Sequence, residues 1–153
     1  MTLADAPSTP VATEDPVAVA SRFLDLLMAG DLDAAADLLA PDVIYINVSL
    51  PKIVGRERVR KVAKATLGRP SAGFEVYIHA TGADGHVALN ERTDVLTVGP
   101  FRTQFWVYGR FEVVDGQITV WRDSFDWLNI TLASLRGLAG IAIPALRAKP
   151  PVA

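Results

Sequence analysis

From Gly73 to Trp127 the chain alternates apolar and polar residues almost without a break: GFEVYIHATGADGHVALNERTDVLTVGPFRTQFWVYGRFEVVDGQITVWRDSFDW. A period of two is the period of a β-strand, whose side chains point to opposite faces in turn. The turn signals ADG, GP and DG cut the run into pieces. The pattern predicts consecutive antiparallel strands over 74–81, 86–98, 101–114 and 117–127. A meander of this length must bury one face, and the rest of the chain has to supply the cover.

Helices supply it. Val17, Ala20, Phe23, Leu24 and Leu27 recur at helical spacing, with Asp15 placed to cap, Pro16 at the first helical position and Gly30 as a stop. DLDAAADLLA (31–40) reads as a second, shorter helix, and DVIYINVSL (42–50), between Pro41 and Pro51, as a strand. RERVRKVAKATLG (56–68) is a basic helix with Val59, Val62, Ala63 and Thr66 as its stripe, its charges forming a solvated face. A last helix is predicted from about 129 to 147. Helices, a long meander and a closing helix define an α+β domain with helices on one side of a curved sheet able to enclose a pocket. Residues 1–14 read as a disordered lead, 15–148 as a single domain and 149–153 as a flexible tail.

Composition narrows the partners. Half of the residues are apolar and 21% are charged, which is globular usage. A formal charge of −2 offers no electrostatic case for nucleic acid or an anionic membrane. No apolar run reaches membrane-spanning length, and the N-terminus lacks the basic and apolar parts of a signal peptide. With no cysteine, disulfides and thiolate chemistry are excluded, which fits a cytoplasmic location.

Alternation places several polar side chains on faces that otherwise read as buried. In NERTDVLTV (90–98), Arg92 and Asp94 share a face with Leu96 and Val98. On 117–127 the odd face carries Trp121, Asp123, Phe125 and Trp127; on 43–49, Tyr45 and Asn47 lie together. Charges on a buried face are costly unless paired. Two readings follow: a structural network in which Arg92 neutralises Asp94 and Asp123, or a functional polar pocket. His79 and His86 have no metal-ligand spacing with other donors, and Asp31, Asp33, Asp84 and Asp115 read as turn or cap residues. There is no Gly-rich dinucleotide or phosphate loop.

Two carboxylates and a guanidinium in a low-dielectric pocket suit acid–base work, because like charges close together favour keeping one proton. An acid on one side and a water activated on the other can open a strained, weakly basic ring oxygen such as an epoxide. YIN (45–47), ERTDVL (91–96) and WRDSFD (121–126), with GRFEVVDGQIT leading into the last, together resemble the limonene epoxide hydrolase family. The resemblance covers roughly 17–130. It implies a cone-shaped α+β fold, shared with nuclear transport factor two and ketosteroid isomerase, with a mostly antiparallel mixed sheet.

The resemblance further implies Asp123 as general base, Tyr45 and Asn47 as holders of the attacking water, Asp94 as general acid and Arg92 as the bridge. It suggests Leu24, Leu27, Val76, Leu96, Phe105, Val107 and Phe125 as the apolar wall of the substrate site. It implies one concerted step on a small lipophilic epoxide and water, with no metal and no cofactor. Members pair as homodimers through their sheets, which would account for Trp106 and Tyr108 on the outer face. An isomerase or polyketide-cyclase-like enzyme, an epoxide-opening cyclase and a lipophile-binding protein are the alternatives on the same fold. Arg92 speaks against the isomerase, whose acid must stay neutral. Beyond about residue 139 the chain outruns the family pattern.

Overall fold

The structure is a computed structural model, and residues 14–151 of it are described. The expected disordered lead falls outside the described residues except for Glu14, and so do residues 152 and 153 of the expected tail.

Asp15 caps α1 (Pro16–Ala29), its carboxylate accepting from the Val17 amide at 3.0 Å, and Gly30 closes the helix at φ 75°. α2 (Leu32–Asp37) is capped by Asp31 in the same way, through the Ala34 amide. β1 runs from Leu39 to Asn47 and a short β2 (Ile53–Val54) pairs back onto it. α3 (Arg56–Leu67) then precedes β3 (Ala72–Asp84), β4 (Val87–Val98), β5 (Phe101–Val114) and β6 (Gln117–Ser124). α4 (Trp127–Ala142) and a 3-10 turn (Pro144–Leu146) close the described chain.

The meander forms as the alternation predicts, and Asp115 and Gly116 both take positive φ in the β5–β6 turn, the geometry of a tight hairpin. All strands join one sheet in the order β2-β1-β6-β5-β4-β3, in which β1 is parallel to β6 and the other pairs are antiparallel. The sheet is therefore mixed and stays open, with helices at both ends of the chain.

Several boundaries differ from expectation. The strand expected over 74–81 extends over Ala72–Asp84, and the one expected over 117–127 ends at Ser124, because Asp126 already caps the next helix. The helix expected over 31–40 stops at Asp37, because Leu39 pairs with Ile118 and the Ile118 amide donates to the Leu38 carbonyl at 2.8 Å. A contact remote in sequence outweighs local helix propensity there. The strand expected over 42–50 is correspondingly displaced to 39–47, and the chain turns at Ser49 with φ 76°. The last helix starts at Trp127 and ends at Ala142, where Pro144 cannot continue it.

α1 packs on the inner face of the sheet, and the main core lies between them. Phe23 of α1 meets the Trp121 ring edge-on at 4.9 Å, and Phe111 stacks beside Trp121. Leu24, Leu27, Leu39, Val43, Val59 and Ile118 complete the cluster. The basic face of α3 is tied to α2, where Arg60 and Lys64 pair with Asp33 and Asp37.

α4 takes an unexpected position. β6 stops at Ser124, opposite Tyr108, so the first half of β5 pairs with β4 on one side and has no strand on the other among the described residues. α4 lies along that edge and packs on β5 alone among the strands. The Asn129 side chain accepts from the Trp106 amide at 3.1 Å, and Gly137 rests on the Arg102 carbonyl so closely that a Cβ would overlap it. The helix thus covers the free edge that β6 leaves.

Candidate active site

Register builds the site row by row on the inner face. Asn47 of β1 stands beside Asp123 of β6, which faces Gly109 of β5, which in turn faces Asn90 of β4. The row on one side holds Tyr45, Trp121, Phe111 and Ala88. Toward the other side, Val107 faces Arg92, and the row after it runs Phe105, Asp94, Val76. A bulge between Glu112 and Val113 shifts the phase of β6, so that Ile118 points inward along with Trp121 and Asp123.

Arg92 has no solvent exposure, and Asp94, Asp123 and Asn90 are buried at 6%, 5% and 8%. The guanidinium divides its donors among them. Nε donates to Asp94 Oδ1 at 2.8 Å and Nη2 to Asp94 Oδ2 at 3.2 Å. Nη2 also lies 2.8 Å from Asp123 Oδ1. That last contact is a close ion pair in which the guanidinium N–H is not well aligned with Asp123 Oδ1. Nη1 donates to Asn90 Oδ1 at 2.9 Å. Tyr45 stacks on Trp121 with ring centroids 3.9 Å apart, and its hydroxyl accepts from Asn47 Nδ2 at 2.7 Å.

Electrostatics separates the groups. Burial, reinforced by Asp123, raises the Asp94 carboxyl to about 6 despite the opposing pull of Arg92. Burial and the Asp123 charge push the Tyr45 hydroxyl well above its ordinary value, so it stays protonated. Burial works against the charge on Arg92, but Asp123 and Asp94 outweigh it and hold the guanidinium protonated. The result is a permanently charged bridge joined to one carboxyl that carries a proton in mildly acidic solution.

The residues expected to form the site fall into two groups. Arg92, Asp94 and Asp123 are in direct contact, with Tyr45 and Asn47 on the strand beside Asp123. Of the expected wall, Val76, Phe105 and Val107 flank Asp94 and Arg92 in register, and Phe125 meets Phe105 edge-on at 6.3 Å. Leu96 is half-buried, one alternation beyond Asp94. Leu24 and Leu27 are buried in the main cluster, against which Val76 packs. Two participants escaped the sequence reading: Asn90, one alternation before Arg92, and Gly109, where a Cβ would collide with Arg92 Nη1 and Asn90 Oδ1. For Asn90 the signal was present in the alternation itself. Two cavities, of about 240 Å³ beside α4 and 190 Å³ beside His86, lie away from these groups.

Fold and site together define a cone-type α+β protein with a buried acid–arginine–acid bridge opening onto apolar strands. A profile of the limonene-1,2-epoxide hydrolase catalytic domain matches residues 14–136, and the chain belongs to that family. Epoxide hydrolase EphG of Mycobacterium tuberculosis is 46% identical over 126 residues, 82% of this chain and 83% of that protein. The structure of an M. tuberculosis LEH-like epoxide hydrolase superposes with a TM-score of 0.84 at 43% identity, covering 94% of this chain and 100% of that one. A structure from Kribbella flavida DSM 17836, assigned to the ketosteroid isomerases, matches with a TM-score of 0.59 at 24% identity, covering 92% of this chain and 85% of that one; it shows the shared fold alone.

Proposed function

We propose that this protein is an epoxide hydrolase that adds water to a lipophilic epoxide in one concerted, acid/base-catalysed step. The observation that carries the reading is the single buried guanidinium shared by two carboxyls, one of them raised to about 6. The Asp123 carboxylate, beside Asn47 and next to Tyr45 on β1, takes a proton from the attacking water. The water oxygen bonds to an epoxide carbon as that carbon's bond to the ring oxygen breaks. Asp94 gives its proton to the departing oxygen, so water and epoxide become a vicinal diol. Arg92 holds both carboxyls in place and lends positive charge where negative charge moves. The proton then returns from Asp123 to Asp94 to reset the pair. No cofactor enters this scheme. Val76, Phe105, Val107 and Phe125, with Leu24, Leu27 and Leu96, form the apolar wall that selects a lipophilic substrate.

Residues 15–148 act in this reading as one unit. Trp106 and Tyr108, 49% and 57% exposed and stacked on the outer face, pair it with a second copy. No helix among the described residues is long and apolar enough to cross a membrane. With no cysteine to protect, the chain suits the cytoplasm.

The test is a panel of terpene, styrene and long-chain epoxides, followed by a single turnover in oxygen-18 water. Diols form, with the label in the diol and none in the protein. Label in the protein would point to a covalent intermediate, and tight apolar binding without turnover to a carrier.

A further inference from the structure

Arg92 carries five N–H donors in a rigid plane, and all of them are buried with it. Nε and Nη2 are taken by the carboxyls, which pull the head toward one edge. The opposite edge, Nη1, points at neither acid and rests instead on Asn90 Oδ1 at 2.9 Å. Both atoms lie over Gly109, where any side chain would displace them. We propose that Asn90 is a positioning residue, which pins the Nη1 edge of Arg92 in the recess over Gly109 so that Nε and Nη2 stay in contact with Asp94 and Asp123. This deepens the epoxide hydrolase reading and rests on it.

An amide is suited to the task because it accepts without adding charge. A third carboxylate would compete for the guanidinium and strengthen the hold of Asp94 on its proton. The charged and titratable groups facing Arg92 and Asp94 are Asp123 from β6 and Tyr45 from β1. In register from β3 come Val76 and Ile78, and from β5 come Phe105 and Val107. The buried residues of α1 are all apolar. Asn90 is therefore a neutral anchor for the bridge.

The experiment compares wild type with Asn90→Ala, Asn90→Thr and Asn90→Asp by pH–rate profile and by nitrogen-15 NMR of the Arg92 Nε–H. Asn90→Ala lowers kcat by about 10²-fold, the scale of an ångström-level misplacement, with KM little changed. Its Nε–H exchanges with water faster than in wild type. Asn90→Thr, which keeps an acceptor, recovers part of the loss. Asn90→Asp also keeps the acceptor, holds the Nε–H protected, and moves the alkaline limb of the profile to higher pH. Wild-type kcat, profile and Nε–H protection in Asn90→Ala would overturn the proposal, even with a lowered Tm. Should Asn90→Ala not fold, an unshifted profile in Asn90→Asp overturns it equally. If wild type opens no epoxide, the hydrolase reading fails, while faster Nε–H exchange on losing the amide still supports the anchor.

Discussion

The inner face of the sheet and the outward side of α4 invert the usual rule of burial in opposite senses. On the inner face, Arg92, Asp94, Asp123 and Asn90 are buried, and the cost is offset by contacts between them. On α4 the large residues Leu128, Leu132, Leu135 and Leu138 are 56–65% exposed, while Gly137 and Gly140 face inward. Gly137 lets the helix close on the edge of β5 while Gly140 receives Arg147, which leaves the leucines pointing away. The difference lies in where compensation comes from. The inner inversion is balanced within the chain; the outer one, with Trp106 and Tyr108 likewise exposed, has no balancing contact among the described residues. Buried polar groups that stabilise little by themselves point to chemistry, and exposed apolar ones point to a partner surface.

The largest expected effect tests the inner region. Asp94→Asn and Asp123→Asn should each lower epoxide turnover by about 10²–10⁴-fold, as loss of a general acid or base does. Both variants should still unfold cooperatively in urea, since an amide keeps the size and some of the hydrogen bonding. Full turnover with lowered stability would make the bridge a structural network and bring the two regions to the same footing.

Legibility followed the range of the interactions. β3 to β6 were readable because each hairpin register is set by its own turn and by period-two alternation. The start of β1 was not, because its parallel pairing with β6 joins segments about 80 residues apart, which no local pattern encodes. The edge position of α4 was hidden for a similar reason: it depends on β6 ending short of β5. At the site, Arg92, Asp94 and Asp123 stood out as charges among apolar neighbours. Asn90 shares their face by alternation but carries no charge to draw notice, and Gly109 contributes by lacking a side chain.

A smaller effect sharpens the energetic side of the contrast. The Asp94 carboxyl is raised from 3.8 to about 6 on folding, mainly by burial. The folded state then binds that proton more tightly than the unfolded state does. The stabilisation is complete below about pH 3.8 and is lost as the pH rises through about 6. Its ceiling is about 3 kcal/mol, from roughly 1.4 kcal/mol per pH unit. Urea unfolding of wild type and Asp94→Asn at pH 7 and pH 4.5 reads this directly. Acidification should favour wild type over the variant by about 2 kcal/mol, because carboxylates such as Asp33 and Glu75, whose values are lowered, act alike in both proteins. An unchanged difference between the two pH values would mean that Asp94 is not held protonated by the fold.

The smallest effect on the fold belongs to the outer face. Trp106 stacks with Tyr108 and meets His79 edge-on at the surface, and the hydrogen bond from the Trp106 amide to Asn129 involves only the Trp106 backbone. Replacing both rings by serine removes a surface stack worth about 1 kcal/mol, so the isolated subunit should unfold within about that margin of wild type. Assembly is another matter, since aromatic residues dominate the centres of protein interfaces. Sedimentation velocity should show wild type as a dimer and Trp106→Ser/Tyr108→Ser shifted toward monomer at the same concentration. A wild-type monomer across the micromolar range would remove the second copy as the balancing contact. A dimer insensitive to both substitutions would move the interface from these rings to the leucine ridge of α4, where Leu132→Glu and Leu135→Glu would then dissociate it.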